Sequence, residues 1–293
     1  MNLLRAATLV TPNVSAASAL YEEWLDYKLV ETGTVPADLA ASWGAPASAG
    51  KAYGVVQPSS GADKVIRFVE GDHVPEYRPL RTYGWAAIEI CNQDVMRVNE
   101  RLLKSPFEIV GPPKLIEGLP TIHPMQVKGP DQEIVYLTEI KTSAPDSGLP
   151  KPQTLIDHIF ILVMACSDMN ASGRFFCDGL GLTLDAPMNI VYTMINEAFD
   201  LPEDGKHSLA TGTFGGDVFL EFDQYPMGAA IRPAHPGQLP PGIAICTLKH
   251  PNFDSITLPW IVAPCVREGV VYGGRRAGCV RGPDGTLMEL VEA

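Results

Sequence analysis

Short runs of alternating apolar and polar residues recur along the chain, and several follow a segment with helical spacing. The first group opens with an apolar strand at residues 6–11 and an amphipathic helix at 15–25, with Asn13 as N-cap. An asparagine there accepts a hydrogen bond from the first helical turn. Strand-like segments follow at 51–57 and 64–70. The pattern therefore predicts a strand, a helix and then further strands.

The same succession occurs four times. The second copy opens at 83–91, with Asn92 or Asp94 as helix cap; the third opens at 156–166, with Asp168 as cap and Gly181 closing the helix. The fourth opens at 242–249, but Pro251 and Pro259 interrupt its helical segment, so a helix is doubtful there. We also predict inserted helices at 37–43 and 190–201.

Two similar turns divide the chain into halves. Gly129-Pro130-Asp131 and Gly282-Pro283-Asp284 each precede an alternating apolar strand. Residues 142–152 are punctuated by proline, glycine and serine, as is typical of a linker. We therefore predict a first domain at 1–141, a linker at 142–153 and a second domain at 154–293, with two units in each domain.

Composition narrows the class of protein. The 293 residues carry a net charge of -12, which disfavours a nucleic-acid partner. No apolar run is long enough to span a bilayer, and no secretory signal is evident, so we expect no membrane partner and a cytoplasmic protein. The six cysteines form no CxxC pair, which indicates buried, reduced thiols.

Three segments together resemble the vicinal oxygen chelate superfamily, which includes glyoxalase I, bleomycin-resistance proteins and extradiol dioxygenases. They are the strand opening at residues 157–161, the helix from Asp168 to Gly181, and the closing segment 282–290. The resemblance implies an α+β fold in which four βαβββ units form two cupped, eight-stranded mixed sheets. It also implies a divalent metal bound in a cup by the first and last strands of the units.

The resemblance places metal ligands at three positions of the second half: His158 on a first strand, and Glu221 and Glu289 on last strands. The fourth position aligns with Gly242, which has no side-chain ligand. One imidazole and two carboxylates suit Fe, Mn, Ni, Co or Zn. Glu221 and Glu289 are also the candidate catalytic groups, because a glutamate beside such an ion can act as general base.

Further residues are candidates for substrate binding and for the role of the first half. Tyr225, Arg275, Arg276 and Phe160 are the candidate substrate-binding residues. In the first half the last-strand positions fall on Arg67 and Tyr136 and the first-strand positions on Ala6 and Ala86, so no metal site is expected. Arg67 could hold a carboxylate, although a solvated surface position is the usual one for arginine.

We therefore expect a metal-dependent lyase, isomerase or dioxygenase that acts on a small oxygenated molecule, aromatic or not. We also expect the chain to be able to form a homodimer. The dioxygenase is the weakest of the three, because Gly242 stands where a second histidine is needed. The alternative is a metal-free small-molecule binding protein of the bleomycin-resistance type. Its pocket would be lined by five aromatic residues: Trp85, Phe160, Phe219, Phe222 and Trp260.

Overall fold

The computed structural model describes residues 1–116, 119–141 and 148–293. The chain forms 17 strands and five α-helices, which fall into four successive units. Residues 142–147 of the predicted linker lie outside the described residues.

The first two units each begin with a long strand and a helix. Unit 1 contains β1 (Leu4–Thr11), α1 (Val14–Trp24), β2 (Tyr27–Thr34), the inserted α2 (Ala37–Ser42), β3 (Ala52–Pro58) and β4 (Val65–Glu70). Unit 2 contains β5 (Gly84–Asn92), α3 (Val95–Leu102), β6 (Glu108–Gly111), β7 (Ile122–Lys128) and β8 (Ile134–Ile140).

The last two units follow the same plan with one insertion and one loss. Unit 3 contains β9 (Ile156–Cys166), α4 (Met169–Leu180), β10 (Thr183–Leu184), the inserted β11 (Met188–Val191) and α5 (Thr193–Ala198), β12 (Lys206–Phe214) and β13 (Asp217–Gln224). Unit 4 contains β14 (Gly242–His250), β15 (Cys265–Arg267), β16 (Arg275–Arg281) and β17 (Leu287–Glu292). Its helix is reduced to a single turn at Phe253–Ser255, where we expected the prolines to break it.

The predicted helix caps are present. The side chains of Asn13, Asp94 and Asp168 each accept a hydrogen bond from a backbone N–H in the first turn of the following helix. Gly181 ends α4 in the left-handed conformation, with φ of 64°, which a residue without a Cβ adopts at little cost. These local signals fix where each helix begins or ends relative to the strand before it.

The four units pair into two curled mixed sheets, but not in the order that the two halves suggested. The first cup is an eight-stranded sheet of units 1 and 4, in the order β15-β16-β17-β14-β1-β4-β3-β2. The second cup is a nine-stranded sheet of units 2 and 3, in the order β10-β12-β13-β9-β5-β8-β7-β6, with β11 paired to β12. Within each cup, the first strands of the two units run antiparallel at the centre.

The apolar residues separate into three clusters that follow the two faces of each sheet. The largest cluster joins both sheets and includes residues from α1, α3 and α4, such as Tyr21, Val98 and Phe176. The other two clusters each belong to the inner face of one cup, around Trp43 and Tyr272 in the first and around Tyr136 and Tyr225 in the second. Polar residues on the inner faces are therefore candidates for function.

All six cysteines are free, and five of them are buried, whereas Cys265 is exposed. Among the described residues, no helix is long and apolar enough to cross a bilayer.

The pairing of units predicts that neither half folds alone. In residues 1–141 expressed separately, β1 and β5 lack their central partners β14 and β9. We expect fragments 1–141 and 154–293 each to show no cooperative unfolding in urea as monomers, and their mixture to recover the transition, measured by circular dichroism with light scattering for mass. A cooperative transition from either monomeric half would contradict the pairing.

Candidate functional site

Each cup has four equivalent inner positions, two from each of its two units. In each unit, one position lies on the first strand and is paired with the other on the last strand. In the first cup, Thr8 is paired with Arg67 and Thr247 with Glu289. In the second cup, Glu89 is paired with Tyr136 and Val163 with Glu221. In units 1 to 3, the first-strand residue of the pair lies five positions before the N-cap of the following helix. In unit 4 it lies five positions before Asn252, which precedes the single helical turn.

In the first cup these four residues bond to one another. The guanidinium of Arg67 lies 3.0 Å from Oε2 of Glu289, and the two side chains are 2% and 1% exposed. Arg67 also donates to Thr8 Oγ1, and Thr247 donates to Glu289 Oε2 at 2.9 Å. The guanidinium of Arg67 thus takes the place that a metal ion would have between the strands.

Two further side chains fill the first cup. Trp43, which directly follows α2, donates to Glu289 Oε1 at 2.8 Å, and the Arg67 guanidinium carbon lies 4.6 Å from its ring centroid. The Tyr272 hydroxyl donates to the same oxygen at 2.8 Å. Burial alone would raise the pKa of Glu289, but Arg67 and these donors hold it below its usual value. The first cup is therefore closed and its charge is balanced.

The second cup holds acidic groups instead. Glu89 accepts a hydrogen bond from Thr138 at 2.5 Å, and Glu221 accepts one from Tyr192 at 2.5 Å. Burial raises the pKa of Glu89 to about 8, and the nearby Glu221 adds to the effect. Glu89 holds the first-strand inner position of unit 2 and Glu221 the last-strand inner position of unit 3, so the cup brings both to its inner face.

A third carboxyl group, that of Asp223, lies two residues beyond Glu221 on the same face of β13. Asp223 is buried, and its carboxyl group interacts electrostatically with that of Glu221. Burial and then the charge of Glu221 raise the pKa of Asp223 well above its usual value, and burial also raises that of Glu221. In the described part of the chain, Asp223 has no hydrogen-bond donor of its own.

No basic side chain balances this acidic cluster of Glu89, Glu221 and Asp223. Among the described residues, no lysine or arginine contributes to the pKa of any of the three, and none forms an ion pair with them. The buried hydroxyls of Tyr136 and Tyr225 also make no hydrogen bond within the described residues. Both interact electrostatically with Asp223. Buried polar groups without partners are costly, and they commonly mark a place where a ligand, ion or water belongs.

A cavity of about 710 Å³ adjoins the second cup. Tyr192, which donates to Glu221, is one of the residues that line this cavity, whereas Glu89, Glu221 and Asp223 are not among them. Its walls come from β6 and β7 of unit 2 and from the β11–α5 insertion of unit 3, and include Lys114, Ile116, Gln126, Met194 and Lys206. A small molecule of this size fits between the insertion and the sheet.

The three predicted metal ligands do not meet at one point. Glu221 belongs to the second cup and Glu289 to the first. His158 lies near the start of β9, where its Nδ1 is 3.0 Å from Asp157 Oδ1. The inner first-strand position of unit 3 is Val163, five residues further along. Gly242, which was aligned with the fourth position, begins β14 with φ of 71°, and Thr247 holds the inner position instead.

The predicted substrate-binding residues also separate. Phe160 and Tyr225 lie in the inner cluster of the second cup. Arg276 instead pairs with Glu292 and Asp254 at the edge of the first sheet, and the neighbouring Arg275 is exposed. Neither arginine neutralises a predicted glutamate; Arg67 does this for Glu289, so the expectation of a solvated Arg67 is wrong.

The aromatic pocket of the alternative hypothesis is not formed as a pocket. Trp85, Phe219 and Phe222 are buried in the core that joins the two sheets, and Trp260 packs against the same core. Only Phe160 of the five predicted residues faces a cup.

The sequence analysis missed Glu89 and Asp223. Glu89 was missed because the first-strand positions of the first half were assigned to Ala6 and Ala86. Counting five residues back from the N-caps Asn13 and Asp94 gives Thr8 and Glu89. Asp223 follows from the period of two along β13, which places it on the same face as Glu221.

Similarity to known proteins lies in the structure alone. The sequence matches no model of a protein family and no curated protein. A glyoxalase I variant from Zea mays superposes with a TM-score of 0.65 at 14% identity, covering 99% of this chain and 93% of that one. A proposed dioxygenase from Bacillus subtilis gives 0.59 at 11% identity, with 99% and 85% covered. The predicted glyoxalase-like fold is thus confirmed over nearly the whole chain.

Removing the positive charge of Arg67 from the first cup should destabilise the protein strongly. Arg67→Met leaves Glu289 buried and unpaired, which costs about 3–5 kcal/mol at pH 7. Arg276→Met removes an arginine from a solvent-exposed pair and should have little effect. Urea unfolding at pH 7 measures both. Equal losses in the two variants would contradict the role of Arg67.

The raised pKa of Glu89 in the second cup should make the stability of the protein fall as pH rises, whereas the lowered pKa of Glu289 in the first cup has the opposite effect. Burial raises the pKa of Glu89 to about 8 in the folded protein, whereas a glutamate in the unfolded chain has a pKa of about 4.5. Between these two pH values the folded state therefore keeps a proton that the unfolded chain has lost. Stability should therefore fall as pH rises from 4.5 to 8 in metal-free protein. Glu89→Gln should become more stable relative to the parent by up to about 1.4 kcal/mol per pH unit over that window. A difference that is independent of pH would contradict the raised pKa.

Proposed function

We propose that the second cup binds a divalent cation through Glu89 and Glu221 and is the active site of a lyase or isomerase acting on a small oxygenated molecule. The observation that carries this proposal is the contrast between the cups. Glu289 is neutralised by Arg67, whereas Glu89 and Asp223 are buried and Glu221 is partly buried, and no lysine or arginine of the described residues pairs with them. Tyr192 links Glu221 to the adjoining cavity.

The two glutamates support a lyase or isomerase over a ring-cleaving dioxygenase. The resemblance to glyoxalase-like proteins implies a ligand set with two glutamates, and Glu89 and Glu221 occupy the equivalent first-strand and last-strand positions. A dioxygenase of this fold would need two histidines and a glutamate. None of the four inner positions of the second cup is a histidine, because the other two are Tyr136 and Val163.

The donor set narrows the choice of metal. Carboxylate and phenol oxygens are hard ligands, which suit Mg²⁺ and Mn²⁺ better than the softer ions of an imidazole site. The side-chain oxygens of the acidic cluster do not all lie within 4.8 Å of one another in the described residues. The carboxyl group of Asp223 and the hydroxyl of Tyr136 make no hydrogen bond within the described residues, so neither is committed to another partner.

The remaining residues supply binding and proton transfer. A bound divalent ion would polarise a substrate carbonyl or hydroxyl as a Lewis acid. Asp223, which is not at a ligand position, can accept or return a proton while Glu221 is held by Tyr192. The hydroxyls of Tyr136 and Tyr225 can hydrogen-bond to substrate oxygens. The insertion that carries Tyr192 limits the access of water to the cup.

A metal-free binding protein is the second candidate. Protonation of Asp223, whose pKa is raised, and the hydrogen bond from Tyr192 to Glu221 offer a way to neutralise the cluster without a cation. In that case a ligand that donates hydrogen bonds would occupy the cavity, and its affinity would not depend on metal. A homodimer and a cytoplasmic location remain predictions from the sequence.

Metal binding separates these candidates. Untagged protein titrated with Mn²⁺ at pH 7.5 should bind one equivalent by calorimetry, and the signal of free Mn²⁺ in electron paramagnetic resonance should fall accordingly. Glu89→Gln and Glu221→Gln should each weaken binding by ~100-fold, because each removes a charged ligand. Glu289→Gln alters the matching glutamate of the first cup and should leave Mn²⁺ affinity unchanged.

Thermal unfolding of each metal-free variant would establish that it is folded before titration. Absence of binding by Mn²⁺ and Mg²⁺ in the parent protein, or undiminished binding in both variants of the second cup, would exclude the metal-dependent function and leave the binding protein.

A further inference from the structure

A second group of potential metal ligands lies outside the four inner positions of either cup. Cys91 near the end of β5 faces Asp157 and His158 near the start of β9. His158 Nδ1 lies 3.0 Å from Asp157 Oδ1 and 3.9 Å from Cys91 Sγ. Among the histidine, cysteine, aspartate and glutamate side chains of the described residues, only these three have donor atoms that are all within 4.8 Å of one another.

The trio is not arranged as a nucleophilic triad. A catalytic histidine contacts its nucleophile with one ring nitrogen and its carboxylate with the other. Here the same nitrogen, Nδ1 of His158, faces both Cys91 and Asp157. Burial also raises the pKa of the Cys91 thiol to about 12, so the free thiol is not reactive. Three donors directed at one point instead match coordination of an ion.

The spacing and the chemistry suit zinc. Zn–S bonds near 2.3 Å and Zn–N or Zn–O bonds near 2.0 Å in a tetrahedron separate the ligand atoms by about 3.4–3.5 Å. The observed separations of 3.0 and 3.9 Å lie on either side of that value. Thiolate, imidazole and carboxylate are all common ligands of Zn²⁺.

We propose that Cys91 Sγ, Asp157 Oδ1 and His158 Nδ1 form a structural Zn²⁺ site. The fourth ligand is water or the hydroxyl of Ser60, which already donates to Asp157 Oδ1 at 2.5 Å. Binding displaces the thiol proton of Cys91 to solvent and moves the imidazole proton of His158 to Nε2, which leaves Nδ1 free to coordinate. The side chain of His158 is 13% exposed and gives the ion a route from the surface.

The location indicates what the ion does. Cys91 belongs to unit 2, Asp157 and His158 to unit 3, and Ser60 to the loop between β3 and β4 of unit 1. The ion would therefore join the central strand pair of the second cup to a loop of the first sheet. Asp157 already receives the backbone N–H of Gln153, so the same point also holds the residues that lead into β9.

One neighbouring charge opposes the ion. Lys64 lies close enough to Cys91 and Asp157 to interact electrostatically with both, and it makes no ion pair within the described residues. Its ammonium group balances the trio in the absence of metal and repels a bound cation. Because Lys64 is only partly buried by neighbouring atoms at the surface, it can turn toward solvent. Lys64→Gln should therefore tighten zinc binding several-fold.

Cobalt provides a direct readout of the thiolate. Untagged protein with one equivalent of Co²⁺ should develop the thiolate-to-cobalt charge-transfer band in the near ultraviolet, and Zn²⁺ should displace it. Cys91→Ala and His158→Gln should abolish the band or weaken cobalt affinity by ~100-fold. His158→Gln changes a partly exposed side chain, so it keeps the test valid if Cys91→Ala does not fold.

Two matched controls separate this site from the others. Cys265→Ala removes the exposed thiol and should leave the band intact. The Glu89→Gln, Glu221→Gln double variant disables the proposed site of the second cup, whose oxygen ligands give no thiolate band, and should also retain it. Absence of the band in the parent protein, its loss in Cys265→Ala, or its persistence in folded Cys91→Ala and His158→Gln would overturn the proposal.

Discussion

A carboxylate that is buried must be neutralised, and the two sheets of this protein meet that requirement in opposite ways. In the first cup Arg67 pairs with Glu289, and Trp43, Tyr272 and Thr247 donate to the remaining lone pairs. Every group in that network has a partner from the chain itself. In the second cup Glu89 and Asp223 are buried and Glu221 is partly buried, and none of them has a basic partner in the described residues. Protons or an external cation must therefore balance their charge.

The two sheets are built from the same unit, but this difference gives them different physical properties. The network of the first cup ties β4 to β17 and holds α2 and the segment around Tyr272 in place, and it leaves no open position for a substrate. The second cup keeps an adjoining cavity and raises the pKa of its acids, which is the usual condition of groups that exchange protons or bind ions. We therefore propose that the first cup contributes mainly to stability and that the second cup carries the chemistry.

The sequence predicted the repeated unit well, because caps, glycines and strand alternation are local signals. Asn13, Asp168 and Gly181 have the predicted roles, and the last-strand positions of Arg67, Tyr136, Glu221 and Glu289 all lie on inner faces. The pairing of unit 1 with unit 4 was not predictable from these signals, since similar repeats can pair in more than one order. That order decides which glutamates share a cup, so grouping Glu221 with Glu289 failed. His158 failed for another reason: a strand of 11 residues leaves its start remote from the inner position that the helix cap fixes at Val163.

The central claim is that a cation enters the second cup and not the first. Anomalous diffraction from a crystal grown with Mn²⁺, recorded at the manganese edge, tests it most directly. The account predicts one anomalous peak in contact with Glu89 and Glu221, and no peak beside Glu289, where the Arg67 guanidinium remains. A peak between Glu289 and its neighbours, or an empty acidic cluster at saturating Mn²⁺, would contradict it.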